Sequence, residues 1–298
     1  MQPLKPADFH PEVMNLFDKY VHGLIDRRGF LDGAARFTGA LGAAATLDLL
    51  RPDYSEAAQV VKSDDPRIKT QMLDYDSPGG AGKMRGLFAE PAKRAGRVGG
   101  VIVVHENRGL NPHTQDIVRR FAVAGFVAFG PDALFPLGGY PGTDEAGVEM
   151  QRKRDGEQMN MDFVNAAKFL KARPEVNGKI GAVGFCFGGS VTNMLAVRLG
   201  PDLAAAVPFS GGQPRAEDVP KIKAELLVNY AEDDMRINAG WPAYETALKA
   251  NHVAHQAFFY PGTVHGFNND TTPRFNKAQS DIAMERTIAL FTRALKTT

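Results

Sequence analysis

Residues Ile180 to Val183 form an apolar run that ends in Gly184-Phe185-Cys186-Phe187-Gly188-Gly189, and Cys186 is the only cysteine of the chain. An apolar strand that runs into glycines around one reactive side chain has the form of a nucleophile elbow. There the reactive residue occupies a sharp strand-to-helix turn, and the flanking glycines let backbone pass where a Cβ would clash. The usual pattern is G-x-S-x-G; here cysteine replaces serine. A buried strand cysteine followed by a glycine turn would spell the same letters, so the elbow depends on partners elsewhere in the chain.

From about residue 66 the chain alternates in a way that suits such a turn. Strands are expected at Ile68–Tyr75, Lys83–Ala89, Gly100–His105, Phe126–Gly130, Ile180–Phe185, Ala204–Phe209, Glu225–Tyr230 and Gln256–Tyr260. Helical patterns lie between them at His113–Ala124, Asp144–Ala172, Gly188–Leu199, Ala239–Asn251 and Ala278–Lys296. Ser77-Pro78-Gly79-Gly80-Ala81-Gly82 is turn chemistry and too short for a crossover helix, so the first two strands read as a hairpin. The βα repeats that follow imply a mostly parallel α/β sheet with helices on both faces.

Residues 1–65 differ. Asp26-Arg27-Arg28-Gly29-Phe30-Leu31 precedes an Ala/Gly-rich stretch and resembles a twin-arginine export signal. The long leader before the arginines, Asp32 after the motif and Asp48 within the apolar segment argue against export to the periplasm. The preferred reading is a helical arm with Phe30, Ala34, Phe37 and Leu41 on one face. Such an arm would pack on the main domain or on a second copy in a homo-oligomer, in a cytoplasmic protein.

Composition excludes several classes. The 35 Lys and Arg nearly balance the 34 Asp and Glu, and no basic cluster interleaves with aromatics, so neither nucleic acid nor a membrane surface is an expected partner. A single cysteine rules out an internal disulfide framework and a CxxC metal knuckle. His105-Glu106 opens like the H-E-x-x-H zinc motif, but Gly109 stands at the fifth position. The glycines near Cys186 do not spell G-x-G-x-x-G. Neither a metal nor a cofactor is expected. Asp132 reads as a turn or helix cap. His10, His22, His252 and His255 have no partner pattern and read as surface residues.

In a parallel sheet, ligands and catalytic groups gather at the carboxyl edge of the strands. Four strand ends carry polar residues: His105-Glu106-Asn107-Arg108-Gly109, Cys186, Ala231-Glu232-Asp233-Asp234 and Gly262-Thr263-Val264-His265-Gly266-Phe267. The chain order nucleophile, acid, histidine is that of α/β-hydrolase triads. His265 would take the thiol proton and later return it to the leaving group, while a carboxylate fixes its tautomer. The acid is one of Glu232, Asp233 and Asp234; Asp234, three residues beyond Ala231, suits a reaching loop best. The helix beginning near Phe187 offers its Phe187 N–H as first oxyanion donor, and the Asn107 N–H is the choice for the second.

Taken together, Glu106, the Gly-x-Cys-x-Gly-Gly elbow, Asp234 and His265 resemble dienelactone hydrolase (carboxymethylenebutenolidase) over residues 66–298. The N-terminal extension corresponds to a longer subgroup of that family. The resemblance implies an α/β-hydrolase fold and a metal-free, cofactor-free opening of an enol-lactone or small ester through a thioester on cysteine. It also implies that Glu106 lies beside the thiol and influences its protonation. The family holds the substrate carboxylate with arginines, where this chain has Pro131-Asp132-Ala133-Leu134-Phe135-Pro136 and Asn269. Arg108, Arg236 and Arg274 are the candidates to replace them. General carboxylesterase or thioesterase activity is the nearest alternative, and a non-catalytic binding module on the same fold is the more distant one.

Overall fold

The computed structural model describes residues 5–55 and 59–296. Eight strands form one sheet: β1 (Ile68–Ser77), β2 (Gly82–Pro91), β3 (Val98–Val104), β4 (Val127–Pro131), β5 (Val176–Phe185), β6 (Ala205–Phe209), β7 (Glu225–Asp233) and β8 (His255–Val264). They lie in the order β1-β2-β4-β3-β5-β6-β7-β8. β1 pairs antiparallel with β2, and β2 with β4; the remaining neighbours are parallel. This is the α/β-hydrolase architecture, with β5 near the middle of the parallel run.

Among the described residues ten α-helices surround and extend the sheet: α1 (Pro11–Val21), α2 (Arg27–Ala34), α3 (Ala43–Leu50), α4 (Pro112–Val123), α5 (Asp144–Arg152), α6 (Gly156–Lys171), α7 (Phe187–Leu199), α8 (Met235–Asn238), α9 (Trp241–Ala250) and α10 (Lys277–Ala294). The sheet buries both faces because alternate residues of each strand serve opposite cores. Ile102 and Val104 of β3 join Phe163 of α6 and Leu195 of α7 on one side. Val101 and Val103 join Phe121 of α4 and Phe291 of α10 on the other. Among the described residues no helix is long and apolar enough to cross a membrane.

Two expected elements differ. The single helix anticipated over 144–172 is broken at residues 153–155, because Asp155 leaves the helix to cap a new one, its carboxylate accepting from the Gln158 N–H at 2.8 Å. In the arm, α2 ends at Ala34 and the chain turns through Gly39 and Gly42, both at positive φ. Phe30 and Ala34 are therefore buried while Leu41 is exposed, not part of one helical face. The arm has its own small core, in which Val13, Phe17, Phe30, Ala34, Leu47 and Leu50 pack together.

The arm also lies on the sheet-containing part of its own chain. The Tyr20 hydroxyl donates to Glu145 at 3.1 Å, the Asn107 amide to the Val21 carbonyl at 2.8 Å, and the Arg274 guanidinium stands 5.2 Å from the centre of the Phe17 ring. Further on, the Val60 and Val61 N–H groups both donate to Asp116 at 2.9 Å, tying the connecting segment to α4.

Candidate active site

Sheet register brings the polar strand ends together. Phe185 of β5 pairs with Phe209 of β6, and Asp233 of β7 with Val264 of β8. Cys186 therefore leaves the centre of the sheet at the edge where Asp234 and His265 leave adjacent strands. The sharp turn at Cys186 has φ 56° and ψ −112°, a region costly for any residue with a Cβ. It is held by the Cys186 N–H donating to the Phe209 carbonyl at 2.9 Å. The glycines make the turn feasible. A Cβ on Gly188 would run into the carbonyl oxygens of Val104 and His105, and one on Gly184 into the backbone of Gly188. Phe187 begins α7, so its N–H has no intrahelical acceptor and points toward the thiol end of the helix.

The three candidate acids differ in position. Asp234 is buried, and its Oδ2 accepts from His265 Nδ1 at 2.6 Å. Asp233 is exposed. Glu232 is also exposed and turns away, accepting from the Gly262 N–H at 2.7 Å. With Nδ1 committed to Asp234, His265 presents Nε2 to the thiol.

A fourth residue completes this cluster. His22, at the end of α1, is not a surface histidine: its Nε2 lies 3.2 Å from Cys186 Sγ and 3.2 Å from His265 Nε2. Its Nδ1 donates to the Asp18 carbonyl at 2.7 Å and is 3.2 Å from Asp18 Oδ1. Arg236 Nη2 stands 3.0 Å from His22 Nε2. Asp18 and His22 are an i, i+4 acid–histidine pair at a helix end, a local signal that sequence reading passed over. The other three histidines read as surface residues have partners or positions away from the thiol. His10 caps α1, His252 is exposed, and His255 bonds the Val253 carbonyl at 2.7 Å.

Electrostatics follow from these contacts. Burial pushes the Cys186 thiol up, but the imidazoles of His22 and His265 outweigh it and bring the pKa down to about 5. Burial disfavours charge on His265 too, yet the facing thiolate and Asp234 raise its pKa to about 10. A thiolate–imidazolium pair at neutral pH is the result.

Glu106 is buried, and its carboxylate faces Arg108 Nη2 at 3.4 Å and the Asn269 amide at 3.5 Å. Burial raises its pKa, and Arg108 and Arg274 more than compensate, leaving it below the ordinary carboxylate value. Arg108 is itself buried and reaches Asp144 at 2.8 Å. Arg274 is buried with its Nε unpaired among the described residues. Arg236 is exposed and contacts His22, the imidazole beside the thiol. Arg108 and Arg274 line a cavity of about 600 Å³ between the arm and the domain, together with Tyr20, Tyr54 and Tyr140.

The two remaining polar sites near this edge are structural. His105 is fully buried, with Nδ1 on the Glu106 carbonyl and Nε2 accepting from the Ala133 N–H at 3.1 Å. Asp132 accepts from the Leu110 and Leu134 N–H groups at 3.3 and 2.9 Å, bracing two loops. Asn107 gives its side-chain amide to the arm.

The chain is similar to known proteins. The family model described as "Dienelactone hydrolase family" matches residues 84–295, and one described as "YqhI-like" matches residues 1–38. A Saccharolobus solfataricus protein named "Putative carboxymethylenebutenolidase" is 29% identical over 262 residues, 74% of this chain and 98% of that protein. Protein usf of Aquifex pyrophilus is 34% identical over 233 residues, 74% of this chain and 97% of its own. Among solved structures, a dienelactone hydrolase-like promiscuous phosphotriesterase from metagenomic libraries superimposes with a TM-score of 0.66 at 25% identity, covering 77% of this chain and all of its own.

Proposed function

Since this chain belongs to the dienelactone hydrolase family, whose members are hydrolases of lactones and esters, we propose that it cleaves a small lactone or ester through covalent Cys186. The observation that carries this reading is the cluster at the elbow: a strained cysteine at a helix start, with His265 on its thiol side and Asp234 bonded to His265 at 2.6 Å.

The chemistry runs in two halves. The Cys186 thiolate attacks the carbonyl carbon, and the negative charge moves to the carbonyl oxygen. The Phe187 N–H and the Asn107 N–H are the assigned donors for that oxyanion. As the tetrahedral adduct collapses, the C–O bond breaks and His265 Nε2 gives its proton to the departing oxygen. The ring of a lactone opens at this point, leaving a thioester on Cys186. Water then attacks the thioester while His265 takes its proton, and collapse releases the carboxylic acid and restores the thiolate. Asp234 keeps the imidazole in the right tautomer in both halves.

Glu106 is assigned a positioning role, holding Arg108 beside the site. Of the three arginines, exposed Arg236 and cavity-lining Arg274, whose Nε is unpaired among the described residues, are the two assigned to a substrate carboxylate. Arg108 is already matched by Glu106 and Asp144, which favours a wider range of neutral esters as the second reading.

The test is hydrolysis of dienelactone and of p-nitrophenyl acetate by the wild type and by Cys186→Ala. Turnover of either substrate by the wild type alone supports the assignment. Equal turnover by both proteins rejects it.

A further inference from the structure

We propose that His22, Cys186 and His265 form a binding site for one thiophilic divalent cation of the zinc type, and that its occupation shuts the hydrolytic site reversibly. The inhibitory half rests on the function proposed above; the binding half does not.

The geometry comes first. One Sγ and two Nε2 atoms lie within 4.8 Å of one another, with His22 Nε2 at 3.2 Å from both Cys186 Sγ and His265 Nε2. Ligands around a tetrahedral zinc, at about 2.0–2.1 Å for nitrogen and 2.3 Å for sulfur, are separated by about 3.3–3.6 Å. The two His22 distances need shifts of only a few tenths of an ångström to reach those separations.

The orientation of the rings is the second observation. His265 holds its Nδ1–H on Asp234 at 2.6 Å, and His22 holds its Nδ1–H on the Asp18 carbonyl at 2.7 Å. Both imidazoles therefore keep Nε2 as the nitrogen available to a metal once it is deprotonated, and the two Nε2 atoms are 3.2 Å apart. A ligating histidine whose other nitrogen donates to a carboxylate or carbonyl is the usual arrangement around bound zinc, since it fixes the tautomer and raises basicity. A triad needs only one such histidine. The second, brought in by the arm from 164 residues away, is what makes a three-ligand set.

Ligand type selects the metal. A thiolate with two imidazoles suits zinc over magnesium or calcium, which take oxygen donors. Binding would displace the proton on His265 Nε2 to solvent, with no change in oxidation state. The Arg236 side chain, exposed and 3.0 Å from His22 Nε2, must swing away. The cation would then occupy both the attacking lone pair of sulfur and the base nitrogen, so neither is available to substrate.

The experiment uses the full-length protein with a non-thiol reductant. Cobalt(II) is titrated and followed by thiolate-to-cobalt charge-transfer and tetrahedral d–d absorption, and zinc chloride is titrated against ester hydrolysis. The wild type should develop the cobalt bands at one ion per chain and lose activity in step with zinc occupancy, with recovery on adding EDTA. His22→Gln should lose the bands and need on the order of 10²-fold more zinc for the same fractional inhibition, judged against its own metal-free rate. Arg236→Ala, a change on the exposed surface, should tighten zinc several-fold and gives an arm independent of folding in the His22 variant. Unaltered cobalt bands or an unaltered zinc requirement in His22→Gln overturns the site, as does absence of the bands in the wild type. A wild type that develops the bands but hydrolyses no ester would leave the site standing and remove the function.

Discussion

Replacing His265 by glutamine should raise the pKa of Cys186 by a calculable amount. The thiol stands at about 5 against a starting value of 9.0, with burial opposing the fall and His22 and His265 causing it. The two imidazoles are the main causes of that fall. If they contribute equally, losing His265 returns about half of it, and the ionisation should move to about 7. At pH 6 the thiolate fraction would fall from about 90% to about 10%.

The assay is the rate of iodoacetamide alkylation across pH, with EDTA present. The inflection is the quantity to read, because the plateau rate also changes as a more basic thiolate is intrinsically more nucleophilic. The wild type should inflect near 5 and stay flat through neutrality. An inflection that remains near 5 in His265→Gln would show that His265 does not hold the thiolate. A wild-type inflection near 9 would refute the ion pair altogether.

Asp234→Asn should lower turnover by on the order of 10³–10⁴, since an amide cannot keep His265 in its working tautomer, while exposed Asp233→Asn should leave kcat within a few-fold; steady-state kinetics of the two variants decides. Gly188→Ala should destabilise the fold by about 2–4 kcal/mol, as the new methyl group meets the Val104 and His105 carbonyls, and denaturant unfolding would register it. Glu106→Gln should cost about 2 kcal/mol by leaving buried Arg108 with Asp144 alone, visible as a lower Tm. The thiol inflection in that variant should stay near the wild-type value, because the imidazoles of His22 and His265 set the ionisation while Glu106 pairs with Arg108.

Much of this architecture is legible in the sequence because it is encoded locally. Each of the eight strands is an apolar or alternating run bounded by turn residues, and the elbow is spelled within six consecutive positions, 184–189. The grouping of Asp234 with His265 follows from strand ends and parallel register. Contacts between distant segments are not encoded that way. Nothing near His22 says that α1 ends against a thiol 164 residues away; its sequence shows only the Asp18–His22 pair. Glu106 could be placed at the sheet edge, but the direction of its carboxylate depends on Arg108 and Asn269, which arrive from different loops. The end of α2 was obscured by Ala-rich sequence, where helix propensity runs on past the point at which Gly39 and Gly42 turn the chain.

The most direct measurement is to trap the covalent intermediate. The wild type would be mixed with a slowly hydrolysed aryl ester, quenched in acid within the first turnovers, digested and analysed by mass spectrometry. The proposal that Cys186 is the nucleophile predicts the acyl mass on the peptide containing Cys186, its release by hydroxylamine, and no acylated peptide from Cys186→Ala. Acylation of another residue, or full turnover by Cys186→Ala, would contradict it.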